Sequence, residues 1–194
     1  MNTPSTSTRR AAPLPADERR AAIVGAVLPT LIERGLTVTT RELAVAAGVS
    51  EGTLFNVFAD KDALIDAAVD AAIDLEPFER ALAEIDGSMA FEDRLVAATE
   101  LIQRRIVDVW RLVSQLGSHD RPEHRRGPLP DSPALVALLD VERERLRRSP
   151  ADSARLLRAM TLSLTHPLMT AEPSTGPEIV ELFLHGVATD GSES

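Results

Sequence analysis

The sequence predicts an all-α protein of about nine helices, from its composition, its apolar spacing and the placement of its helix breakers. Aromatics make up only 3% of the 194 residues, with no Tyr and one Trp. Ala, Leu, Val, Glu and Arg dominate, which favours helix packing over sheets built from aromatic and β-branched residues. Apolar residues recur at intervals of three and four, and most Pro and Gly residues fall where those runs end. A hydrophobic content of 44% is enough for a buried core. The absence of Cys excludes disulfides, thiolate metal sites and thiol nucleophiles.

In chain order, residues 1–16 read as a disordered arm rich in Ser, Thr and Pro, with Arg9 and Arg10. A first helix, about Asp17 to Arg34, places Ile23, Val27 and Leu31 on one face and stops at Gly35, with a kink or frayed last turn expected at Pro29. A helix from Lys61 towards Ala83 carries Leu64, Ala68, Ala71 and Leu75 on one face until Pro77 interrupts it. It links a head, residues 17–66, to a body, residues 67–190. The body opens with a core helix from Phe91 to Gly117, marked by Leu95, Ala98, Ile102, Ile106, Val109 and Val113 and about 40 Å long. Ser118 to Ser132 reads as a loop by its Pro and Gly residues, and three helices follow, near 133–148, 151–170 and 177–189.

Between the first helix and Lys61 lies the most informative stretch. Thr39 and Glu42 have the spacing of a capping box, so a short helix starts there, buries Leu43 and Ala47 and stops at Gly48, which supplies a left-handed turn. Val49 plugs the corner, and Ser50 caps a second short helix with Leu54 and Phe58 facing inward. Two short helices about a three-residue turn make a helix-turn-helix, whose second helix enters the major groove of DNA with its N-terminal residues at base edges. The expected DNA contacts are Thr39, Thr40 and Arg41 at the start of the first helix, and Ser50, Glu51, Gly52, Thr53, Phe55 and Asn56 on the second. Gly52 permits close approach, and Thr53 and Asn56 are the expected base readers. Lys61, the only lysine in the chain, is assigned a phosphate. The net charge of −9 does not oppose this reading: residues 1–62 carry seven basic and seven acidic residues, so the deficit belongs to the body.

The same residues resemble the TetR family of regulators: Thr39, Leu43-Ala44, Ala47-Gly48-Val49-Ser50, Gly52-Thr53-Leu54-Phe55, Phe58 and Lys61. The resemblance is close over about 17–68, while the body is similar in length, helix content and its ending, Glu178 to Gly186. It implies an N-terminal three-helix DNA-binding domain and a C-terminal helical ligand-binding and dimerisation domain. The implied function is a homodimeric repressor released from a pseudo-palindromic operator by a small-molecule effector. Two positions depart from the family pattern. Phe55 stands where Tyr is usual and lacks the hydroxyl that bonds a phosphate, and Val57 stands where His is frequent.

For the dimer interface the sequence offers Leu156, Met160 and Leu164 on one helix and Ile179, Leu182, Phe183, Gly186 and Val187 on the last. Gln103, Trp110, Gln115, Met160, Thr161 and Thr165 mix apolar bulk with polar groups, as ligand pockets do. No cofactor or metal is expected, because His119, Asp120, Glu123 and His124 sit in a Pro/Gly-rich loop without a helical ligand pair. An enzyme is disfavoured: Gly-x-Ser-x-Gly, His-Glu-x-x-His and the phosphate-binding loop are all missing. An activator, or a dimeric module of this fold without DNA binding, stands as the alternative. The opening lacks the apolar run of a secretory signal, and a soluble cytoplasmic protein without a membrane partner is expected.

Overall fold

The computed structural model describes residues 15–115 and 130–186, which fold as nine α-helices with no strand among them. Arg9, Arg10, Leu116, Gly117, the segment from His119 to His124, and Val187 lie outside the described residues. The helices are α1 (Ala16–Arg34), α2 (Thr40–Ala46), α3 (Glu51–Val57), α4 (Lys61–Ile73), α5 (Glu76–Ala83), α6 (Phe91–Val113), α7 (Pro133–Asp140), α8 (Pro150–Thr165) and α9 (Gly176–His185). No helix among them is long and apolar enough to cross a membrane.

Several boundaries differ from the sequence expectation, each for a local reason. α1 runs through Pro29 and closes cleanly, with the Gly35 N–H donating to the Leu31 carbonyl and Gly35 at φ 71°. Pro29 itself is exposed. The expected long connector is two helices. Pro77 starts α5, because a residue without an N–H is cheapest in a first turn where that group has no partner. The 133–148 helix ends at Asp140 and gives way to a short 3-10 turn, Arg143–Arg145.

Two apolar clusters hold the chain together. The head cluster joins Val27 and Leu31 of α1, Leu43 of α2, Leu54 and Phe58 around α3, and Leu64 and Ala68 of α4. The body cluster joins Leu95 and Ile102 of α6 with Leu135 and Leu139 of α7, Leu157 of α8 and Ile179 of α9. At about 1.5–3 kcal/mol for each fully buried Leu or Ile side chain, these clusters dominate the stabilisation of both parts.

α6 belongs to both. Its first four turns build the body core, and its end inserts Leu112, fully buried, into the head cluster with Val113 beside it. Polar contacts reinforce the junction. The Arg105 guanidinium on α6 donates to the carbonyls of Ala72, Ile73 and Asp74 at 3.1, 2.6 and 3.0 Å, satisfying the open end of α4. Just past α6, the Gln115 carboxamide accepts from the Leu36 N–H at 3.0 Å and donates to the Arg111 carbonyl at 2.8 Å.

Candidate nucleic-acid interface and body sites

The turn between α2 and α3 is fixed at every step by residues chosen for it. Glu42 accepts from the Thr39 N–H at 2.8 Å while the Thr39 hydroxyl oxygen accepts from the Glu42 N–H at 3.3 Å, a complete capping box. The Arg34 guanidinium adds an ion pair to Glu42 at 2.7 Å, tying α1 to α2. The Thr39 hydrogen bonds, assisted by Arg34, hold the Glu42 carboxyl down to a pKa of about 2. At the other end of α2, Gly48 at φ 66° closes a two-bond Schellman cap: the Val49 N–H donates to the Ala44 carbonyl and the Gly48 N–H to that of Val45, both at 3.0 Å.

Ser50 then caps α3, accepting from the Thr53 N–H at 3.1 Å, with the Ser50 and Thr53 hydroxyls 2.8 Å apart. Arg20 of α1 braces the far end of α3. Its guanidinium lies 4.4 Å from the Phe58 ring centroid and donates to the Val57 carbonyl at 3.4 Å.

With Leu54 at the buried pole of α3, the helical step of about 100° per residue places Gly52 and Asn56 near the opposite pole. Phe55 and Glu51 fall on one flank and Thr53 on the other. Gly52, Asn56, Phe55 and Glu51 are exposed and Thr53 is half-buried, so the crest of the helix is a glycine followed, one turn on, by an amide. On α2, Arg41 is exposed and Thr40 half-buried. Lys61 follows the Asp60 cap of α4, and its ammonium donates to the Leu36 carbonyl at 2.7 Å. The ammonium is therefore oriented by the chain and keeps two further donors.

The body candidates divide into groups. Gln103 on α6 donates to the Thr165 hydroxyl at 3.1 Å and the Ser174 carbonyl at 2.7 Å. Trp110, two turns along α6, meets the His166 ring edge-on at 4.7 Å. Gln103, Trp110 and Thr165 are thus brought together, with His166 and Ser174 as partners the sequence did not mark. One turn before Gln103, α6 buries the Thr99 hydroxyl without a hydrogen-bond partner, another position no pattern indicated. Gln115 is corrected: its carboxamide sits on Gly35 and Leu36 at the head junction, away from that group. Thr161 is turned into the core and donates to the Leu157 carbonyl of its own helix, and Met160 packs half-buried against the body core. A cleft of about 530 Å³ opens instead in the head between α1 and α4, lined by Asp17, Arg20, Val24, Ala67 and Asp70 among others.

Of the dimer candidates, Leu156 is 43% exposed, Met160, Leu164, Leu182 and Phe183 are half-buried, and Gly186 is exposed. Ile179 is corrected: it is 0% exposed and belongs to the core of its own chain. Gly186 at φ 79° ends α9, its N–H donating to the Leu182 carbonyl, so its conformation explains the glycine without a close-packed neighbour. Leu168 and Met169, exposed just beyond α8, add apolar surface that helical periodicity had no means to flag. Among the described residues, no cluster of His, Asp and Glu has the arrangement to hold a metal ion.

Residues 26–68 match the family model for bacterial regulatory proteins of the tetR family. The head thus carries a tetR-type N-terminal domain. The matched segment runs from the middle of α1 through α2 and α3 into α4. Solved TetR-family and other regulator structures share the whole fold. One described as a TetR-family transcriptional regulator from Mesorhizobium loti MAFF303099 is 18% identical, with a TM-score of 0.54 over 89% of this chain and 98% of that one. A transcriptional regulator from Rhodococcus sp. Rha1 is 17% identical, with a TM-score of 0.52 over 88% and 99%. Comparison by sequence with curated proteins returns no match.

Proposed function

We propose that this chain is a cytoplasmic homodimeric repressor that reads a pseudo-palindromic operator with α3 and releases it when a small molecule binds the body. The observation that carries the reading is the outward crest of α3. Gly52 and Asn56 face solvent at the front of a helix whose cap, turn and far end are each pinned by hydrogen bonds. A helix fixed in this way enters a major groove without first paying for its own ordering.

The dimer brings two such helices to two half-sites, and the apolar surface of α8 and α9 around Leu156, Leu164 and Leu182 is the surface that joins the copies. Gln103, Trp110, Thr165 and His166 are the polar and aromatic groups that meet the effector. α6 connects the two functions. It carries Gln103 and Trp110 in the body and Arg105 and Leu112 at the head, so an effector that shifts α6 alters the spacing of the heads. The coupling requires an effector that binds one spacing better than the other.

The test is selection of duplexes from a random library by the purified chain. The expected result is a symmetric motif with half-sites about 34–36 Å, or a multiple of that, apart. Enrichment of no symmetric site refutes the reading, as does an effector that binds the body and leaves DNA affinity unchanged.

A further inference from the structure

We propose that Phe55 reads the 5-methyl group of a thymine in each half-site, an assignment that rests on the DNA-reading function proposed above. The chain has five Phe residues. Phe58 and Phe91 are buried, and Phe78 and Phe183 pack half-buried against the body core. Phe55 belongs to neither cluster and is 46% exposed on a seven-residue helix. A ring exposed to this degree forgoes much of the burial that stabilises the other four, so its position gains less for the fold than theirs do.

The ring stands on the flank of α3 next to the Gly52–Asn56 crest, with Glu51 one turn before it on the same side. That flank is apolar and anionic. A carboxylate repels the phosphate rails, and a ring without a hydroxyl offers a phosphate neither donor nor acceptor, so the flank suits base edges and not the backbone. Among the groups that base pairs expose in the major groove, the thymine methyl is the apolar one, and Phe is among the side chains that contact it. A glycine at the crest lets the helix approach closely enough for a neighbouring ring to reach that depth.

The experiment uses the full chain and the duplex it selects. Each thymine is replaced in turn by deoxyuridine, which removes only the methyl group, and binding is measured for the wild type and for Phe55→Ala and Phe55→Tyr. The wild type is expected to lose roughly threefold to tenfold in affinity at one thymine per half-site. Phe55→Ala is expected to lose that much on the unmodified duplex and nothing further on the deoxyuridine duplex. Phe55→Tyr keeps the ring and is expected to retain the sensitivity. All three proteins should fold alike and show the same salt slope, because the ring belongs to neither core cluster and the substitutions change no charge. Tight binding with no deoxyuridine effect at any position overturns the assignment and leaves the DNA-reading function standing. An equal effect in Phe55→Ala overturns it too, by showing that another group contacts the methyl. Failure to select any duplex removes both proposals.

Discussion

Gly52→Ala separates what the fold needs from what the groove needs. Gly52 is the second residue of α3 and has no positive φ, and a Cβ built there meets only the Ser50 hydroxyl oxygen, at 3.9 Å, ordinary van der Waals distance. The protein itself therefore has room for the methyl group. Replacing a helical Gly by Ala stabilises by about 0.5–1 kcal/mol, and the low end applies to a first turn. For a chain of this size that raises Tm by about 1–4 °C. If the crest of α3 lies against base edges, the same methyl overpacks the interface, at a cost of about 1–3 kcal/mol per half-site. Affinity for the selected duplex should fall at least fivefold while thermal unfolding moves upward. Gly48→Ala supplies the contrast within the same turn. At φ 66° a side chain costs about 1–2 kcal/mol, so that variant loses stability first. Unchanged DNA affinity in Gly52→Ala would show that the crest does not approach DNA. A fall in its Tm would contradict the free space around Gly52.

Lys61→Ala should weaken binding to every duplex alike and lower the salt slope by about one per copy. It should also loosen the Leu36 turn slightly, since the ammonium holds that carbonyl; fluorescence anisotropy across a salt series measures the slope. The Glu42 carboxyl, at about 2 when folded against a usual 4.5, contributes stability that is full above pH 4.5. That contribution diminishes as pH falls from there and is gone below about 2. Acid unfolding followed by circular dichroism should therefore be shallower in Glu42→Gln across that window. Ile179→Ala should destabilise folding by about 2–5 kcal/mol through a cavity in the body core. Leu156→Glu, on exposed surface, should leave secondary structure intact and shift sedimentation from dimer to monomer.

The head was readable because its determinants are local. Thr39, Glu42, Gly48 and Ser50 act within five residues of themselves, so the cap, the stop and the second cap can be read from the sequence as written. Pro77 was misjudged because a proline ends one helix and begins another with the same chemistry, and only the break at Asp74 distinguishes the two. The body candidates suffered from distance. Gln115 looks like a pocket residue by type, yet its partner Leu36 is 79 positions away. Ile179 shows the same ambiguity, since an apolar stripe on the last helix fits an inner core and an outer interface equally well. Arg105 had no signal at all: an arginine on a helix gives no indication that three carbonyls of another helix await it.

The insertion of Leu112 into the head cluster bears on how such proteins are taken apart and recombined. A fragment ending at Leu75 would leave a leucine-sized hole in its apolar interior and three carbonyls bare at its tail. A chimera that grafts this DNA reader onto a foreign sensor therefore has to bring along the tip of a helix encoded some forty codons downstream.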